Sequence, residues 1–327
     1  MMNWNSFSSF ATRFLHLAWA LSYLLLVMPS ALCTTYNRTS SLVAYQFLDA
    51  FTWQTIADPV HGRVNYVNYP TAQQDSLVSV HGDRVVLRAD STTTLDPTGP
   101  GRNSFRLVSN ERYTTHVAIF DIAHMPQGCG TWPAISEIDD TSSTAGGKID
   151  IIEGVNDQTP NLSSLHTSAN CTMPDSRMMT GEAQGDDCSS GSGCGVDIDD
   201  PASYGPPFNT MGGGWYAVER TATYISIFFW KRNDASVPRQ VSHPGRTVDP
   251  STWGIPAAYF PNIDCDFSTH FSPHHIMISL TFCGDWAGSN ATYSASGCPS
   301  TCVDFVNQNP SAFSGAYFEF NRLSIYQ

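Results

Sequence analysis

Gly147-Lys148-Ile149-Asp150-Ile151-Ile152-Glu153-Gly154 is a β-rich run closed by a glycine at each end. It holds two carboxylates three residues apart and one of the chain's two lysines, the other being Lys231. On a regular strand alternate side chains face opposite ways, so 148, 150 and 152 share one face and Glu153 takes the other. Gathering Lys148, Asp150 and Glu153 on one face requires an extra residue, a β-bulge at Ile151-Ile152. Bulges re-aim side chains in this way.

The sequence on either side is also strand-like. In 276–282, Ile276, Ile278, Leu280 and Phe282 share a face, with Ser279 and Thr281 opposite. In 224–230, Ile225, Ile227 and Phe229 alternate in the same manner. Period-2 patterning of this kind predicts a sheet buried on at least one side. Further strands are expected at 42–47, 77–80, 85–88, 117–122 and 317–326, with Gly/Pro/Asp-rich turns such as 96–102 between them. One helix is expected, over 299–307, stopped by Asn309-Pro310. With no internal repeat and no shift of composition, the pattern predicts an all-β sandwich in one domain.

Residues 1–33 read as a secretory signal: Arg13, an apolar run over 14–28, then a break and small residues. That run of roughly 15 residues is short against the about 20 needed to span a bilayer, although an uncleaved anchor is the alternative. Of nine cysteines, eight lie beyond residue 33, an even number that suits disulfides in an oxidising compartment. Cys188 and Cys194 flank a plausible closed loop, the spacing leaves the other pairings open, and no CxxC repeat or His cluster argues for a metal. Four Asn-x-Ser/Thr acceptors, at Asn37, Asn161, Asn170 and Asn290, accompany the signal.

The chain has 327 residues, 16 basic and 29 acidic, for a net charge of −13. Without a basic patch, nucleic acid is excluded as a partner, as are anionic membrane surfaces once the signal is removed. A neutral, aromatic-binding ligand such as a glycan suits an acidic chain with 12% Phe, Trp and Tyr. Paired carboxyl groups fit the same chemistry: one protonates the leaving glycosidic oxygen, and the other attacks the sugar or activates water.

The run Ile149-Asp150-Ile151-Ile152-Glu153-Gly154-Val155-Asn156 resembles the signature of glycoside hydrolase family 16, whose laminarinase branch reads Glu-x-Asp-x-x-Glu. The resemblance extends to Asp58-Pro59-Val60-His61-Gly62, Gly128-Cys129-Gly130-Thr131-Trp132-Pro133-Ala134, Leu165-His166-Thr167-Ser168, Gly213-Gly214-Trp215-Tyr216 and Cys283-Gly284-Asp285-Trp286. These blocks are similar to secreted fungal endo-1,3(4)-β-glucanases. The resemblance implies a concanavalin A-like β-jelly roll of two curved antiparallel sheets over 34–327, with a cleft for β-glucan. It also implies retaining hydrolysis, no cofactor beyond a possible structural calcium, a monomer, and a place outside the cell or in its wall.

Carried over residue by residue, Glu153 takes the acid/base position and Asp150 the assisting one, while Lys148 stands where the nucleophile belongs. Trp132, His166, Trp215 and Trp286 are the candidate sugar-binding residues. An ammonium cannot form a glycosyl ester, and a cation near Glu153 is expected to hold it ionised. A second departure is Ile135-Ser136-Glu137-Ile138-Asp139 and the residues up to 147, which replace the aromatic platform usual in the family. Glu137 and Asp139 form a substitute acid pair without the right offset, and Glu137 is expected to sit solvated in a loop. Three functions follow: an endo-1,3(4)-β-glucanase, a β-glucan-binding protein that does not cut, and a transglycosylase, which needs the same nucleophile. A displaced exon boundary at 135–148 in the gene sequence would produce the same break.

Overall fold

The computed structural model describes residues 35–139 and 145–327. The signal assigned to 1–33 lies outside the described residues, as do residues 140–144 of the second sequence departure. Residues 35–327 form one compact unit. Among the described residues, no helix is long and apolar enough to cross a membrane.

Alternation of apolar and polar side chains produces two antiparallel sheets. The eight-stranded sheet runs in the order Glu182–Ala183, Cys194–Asp197, Leu162–His166, Lys148–Glu153, Thr131–Ile138, His275–Phe282, Arg106–Ser109, Phe51–Trp53. The nine-stranded sheet is centred on His116–His124, flanked by Tyr317–Tyr326 and Gly214–Arg220. The inward rows of the two sheets share one core: Ile276, Ile278, Leu280 and Phe282 from one, and Phe120, Ile122, Val218, Ile225 and Ile227 from the other. Each such side chain contributes about 1.5–3 kcal/mol on burial. This is the jelly-roll sandwich expected from the sequence.

Two expectations need correction. The strand expected over 42–47 ends at Leu42, and Ala44–Asp49 is helical. Phe47 and Leu48 of this helix point into the core, and Phe47 stacks at 5.1 Å on Phe51, which opens the next strand. The single expected helix is one of eight short α-helices among the described residues, each of four to seven residues. Segments this short show no 3.6-residue period and are marked instead by local caps: Asn68, Asp266, Ser289 and Thr301 each accept from a backbone N–H of the first turn. The expected helix begins at Cys302, capped by Thr301, so Pro299 lies outside it.

All eight cysteines beyond residue 33 are paired: Cys129–Cys298, Cys171–Cys265, Cys188–Cys194 and Cys283–Cys302. Two of these, Cys129–Cys298 and Cys283–Cys302, tie the 298–308 segment to the ends of the strands bearing Trp132 and Thr281.

Candidate active site

The strand Lys148–Glu153 lies between Thr131–Ile138 and Leu162–His166. Its register against Thr131–Ile138 pairs Asp150 with Ser136 and then Ile152 with Ile135, which leaves Ile151 as the extra residue of a bulge. Burial explains the choice. With the bulge, Ile149, Ile151 and Ile152 are all fully buried in the core. Without it, Ile152 would turn to the cleft and the Glu153 carboxylate would enter the core, at a cost of several kcal/mol. The bounding glycines are forced by close approach. A Cβ on Gly154 would meet the Tyr204 ring at 2.5 Å, and Gly147 has φ of +76° with a Cβ position 2.5 Å from His270 O.

Lys148, Asp150 and Glu153 therefore meet on one face. Lys148 Nζ is 2.8 Å from Asp150 Oδ1 and 3.7 Å from Glu153 Oε1. Ser136 Oγ donates to Asp150 Oδ1 at 2.5 Å, and His166 Nε2 is 3.3 Å from Asp150 Oδ2. Trp132 Nε1 donates to Glu153 Oε1 at 3.1 Å. The cleft over this cluster has a volume of about 510 Å³.

The electrostatics divide the two carboxyls. Burial raises Glu153 above the usual glutamate range, and the adjacent Asp150 charge adds to this; together they outweigh the opposing pull of Lys148. Asp150 is also buried, yet Lys148 and His166 drive it well below the usual range. Lys148 is half-buried at the cleft, and Asp150 and Glu153 outweigh its desolvation and hold it firmly protonated. The expected pull of the Lys148 cation toward the ionised form is present, but burial outweighs it and the net shift of Glu153 is upward. Sequence supplies the sign of one charge, whereas desolvation, the larger effect, depends on the fold. Glu153 is thus shifted toward its protonated form and Asp150 toward its anionic form, with the Lys148 cation beside both.

The four aromatic and histidine candidates do not all converge. Trp132 lines the cleft, and Trp286 packs edge-on against it with ring centroids 5.6 Å apart. His166 contacts Asp150 from the neighbouring strand. Trp215 lies on the nine-stranded sheet, buried in a separate cluster with Phe228, Trp230 and Trp253, under Arg232 at 4.1 Å. The structure does not bring it to the cleft. Its outward register on Gly214–Arg220, rather than the family-like glycines before it, decides its place.

Glu137 also departs from expectation. It is on a strand, not in a loop, and is fully buried on the core side, 2.9 Å from His116 Nε2 and 3.6 Å from Arg220 Nη1. Asp139 reaches the cleft margin, where Ser272 Oγ donates to it at 2.8 Å.

Sequence reasoning missed Arg106, Asp58, Tyr66, Met277, Ser279 and Thr281, which also line the cleft. The alternation of 276–282 contained part of that signal, because its polar face is the cleft face. Asp58 accepts from Thr281 Oγ1 at 2.6 Å, from the Gly62 amide at 3.0 Å and from Tyr66 OH at 3.2 Å, which fixes the first loop to the cleft wall.

Among the described residues, the side chains grouped as metal ligands would be are Asp150, Glu153 and His166, with ligand atoms within 4.8 Å of one another. The Lys148 ammonium already neutralises Asp150 and would repel a second cation, so this grouping does not fit a metal ion.

Residues 51–326 match the family described as XgeA-like, catalytic GH16 domain. A probable glycosidase of Schizosaccharomyces pombe is 38% identical over 306 residues, covering 91% of this chain and 71% of that protein. A probable endo-1,3(4)-beta-glucanase of Aspergillus clavatus is 39% identical, covering 90% of this chain and 46% of that protein, so this chain spans less than half of that relative. The GH16 laminarinase 16A of Phanerochaete chrysosporium, solved with β-glucans in both donor and acceptor sites, is 52% identical with a TM-score of 0.89, covering 90% of this chain and 100% of the other. An elongating GH family 16 β-1,3-glucosyltransferase is 38% identical with a TM-score of 0.83, covering 89% and 100%. With a family match across 51–326 and identities of this size, the chain belongs to glycoside hydrolase family 16, among the relatives of fungal endo-1,3(4)-β-glucanases.

Proposed function

We propose that this chain is a secreted, monomeric β-1,3(4)-glucan-binding protein that keeps the general acid of a retaining glucanase and lacks its nucleophile. One observation carries the reading: Lys148 Nζ sits 2.8 Å from Asp150 Oδ1 on the face shared with Glu153. Double displacement needs a carboxylate there to form the glycosyl–enzyme ester, and an ammonium held protonated has no lone pair to offer. The acid half is intact, because Glu153 is kept above its usual range and oriented by Trp132. The cleft, the four disulfides and the fungal relatives support a glucan ligand met outside the cell. Transglycosylation, suggested by the similarity to a β-1,3-glucosyltransferase, passes through the same ester and meets the same obstacle.

The test is to incubate the secreted protein with laminarin and follow both binding and chain length. Retention of the polysaccharide with no new reducing ends is the expected result. Turnover comparable to an active laminarinase, or no binding at millimolar sugar, would overturn the proposal. Sequencing the transcript across 135–148 checks the substitution itself. A glutamate at 148 would replace this reading with retaining endo-1,3(4)-β-glucan hydrolysis.

A further inference from the structure

The bulge that aims Glu153 leaves backbone groups without ladder partners. On the side of Leu162–His166, the strand Lys148–Glu153 is paired only through Lys148, Ile149 and Asp150, the last opposite Ser164. Beyond that point the ladder is replaced by two side chains. Asn161 Oδ1 accepts from the Glu153 amide at 3.0 Å, and Asn161 Nδ2 donates to Ile151 O at 3.0 Å. Ser163 Oγ donates to the same carbonyl at 2.9 Å, and Asn161 Nδ2 reaches Ser163 Oγ at 3.2 Å. Both residues are fully buried, and the Asn161 backbone is held as well, its N–H by Ser203 Oγ at 2.9 Å and its carbonyl by the Ile198 amide at 3.0 Å.

The same two residues are the asparagine and hydroxyl of the acceptor sequence Asn161-Leu162-Ser163. A glycan on Asn161 would remove one amide hydrogen and place a sugar inside a close-packed interior. Asn37, Asn170 and Asn290, the other three acceptors, are exposed.

We infer that Asn161, assisted by Ser163, is the positioning residue that sets the bulge and aims Glu153, and that its acceptor sequence stays unglycosylated while Asn37, Asn170 and Asn290 are the available sites. This rests on Glu153 being the general acid of the reading above. The geometry is independent of what stands at 148.

The test needs no turnover. The chain has six glutamates, so carboxyl-¹³C labelling of glutamate gives a spectrum in which Glu153 is assigned by its loss in Glu153→Gln. In the full secreted protein, Asn161→Ala should move the Glu153 midpoint down toward the ordinary glutamate value, as the side chain leaves its desolvated seat. Ser163→Ala should move it the same way by less, and it serves as the test if Asn161→Ala does not fold. Glycopeptide mass spectrometry should find Asn161 bare. A Glu153 midpoint unmoved in either folded variant, or a glycan on Asn161, would overturn the inference. Failure of laminarin to bind would count against the glucan reading alone.

Discussion

Lys148→Glu should release reducing ends from laminarin at a rate on the order of 10³-fold or more above the unsubstituted chain, the scale by which a missing nucleophile suppresses turnover. Position 148 already faces the cleft beside Glu153, with the charged tip 3.7 Å from Glu153 Oε1, and the bulge that brings them together does not depend on the residue at 148. Retaining enzymes hold their two carboxyls about 5–5.5 Å apart, and a glutamate, shorter than lysine, withdraws from Glu153 in that direction. The electrostatic change favours the acid as well, since the one nearby group pulling Glu153 down most strongly is removed. Lys148→Gln separates the two effects, because it removes the cation without supplying a nucleophile and should stay inactive. Equal activity in the Glu and Gln variants, or none in either, would sink the nucleophile argument. The recovered activity should show a better restored kcat than KM, because beyond Trp132 that wall offers only Ala134 and Ile138, neither with a ring for a sugar. Three carboxyls in place of an ion pair should also lower the unfolding temperature at pH 7. Repulsion among them eases as carboxyls take up protons, so that loss shrinks as pH falls toward 4.

The parts of this site that were legible in the sequence are those governed by local pattern. Alternation in 276–282 declares both the core face and the cleft face of one strand. Two carboxylates separated by Ile151-Ile152 are explained by a bulge, because two adjacent isoleucines can both be buried only if the alternation is broken there. What was illegible depends on residues distant in sequence. Trp215 follows a family-like glycine run, yet strand register sends it to the outer side of the other sheet. Glu137 has the sequence context of a polar loop. Its actual surroundings are His116, Arg220 and His274, which arrive from three other segments. The upward shift of Glu153 belongs to the same class, since burial outweighs a neighbouring charge that is plain in the sequence.

Glu137→Gln should destabilise the fold by roughly 3–5 kcal/mol at neutral pH, the usual result of removing one member of a buried charge pair. For a domain of this size that is a fall in unfolding temperature on the order of 5–10 °C. Glu137 is fully buried between the sheets, so its charge survives only because its neighbours outweigh desolvation. Burial pushes its carboxyl upward, but His116 first, then Arg220 and His274, bring it down to about 2. Arg220 cannot move away when that charge is lost, because its other nitrogen is fixed on Ser272 O at 2.7 Å and Phe271 O at 3.3 Å. The cation would remain in the core facing a neutral amide. The pH dependence gives a signature that mere loss of packing lacks. The unfolded chain takes up a proton on Glu137 as pH falls through 4.5, and the folded protein does so only near 2. The stabilisation is therefore fully present above about 4.5 and lost progressively below it. His274, pushed down to about 4 by burial and by Arg220, adds a loss on the acid side between 6.5 and 4. The difference in stability between the unsubstituted protein and Glu137→Gln should thus be greatest near neutrality and collapse toward pH 2 to 3. Denaturant titrations at a series of pH values measure it directly. A difference that stays constant down to pH 3 would assign the loss to packing and remove the electrostatic account of why a carboxylate is tolerated at this core position.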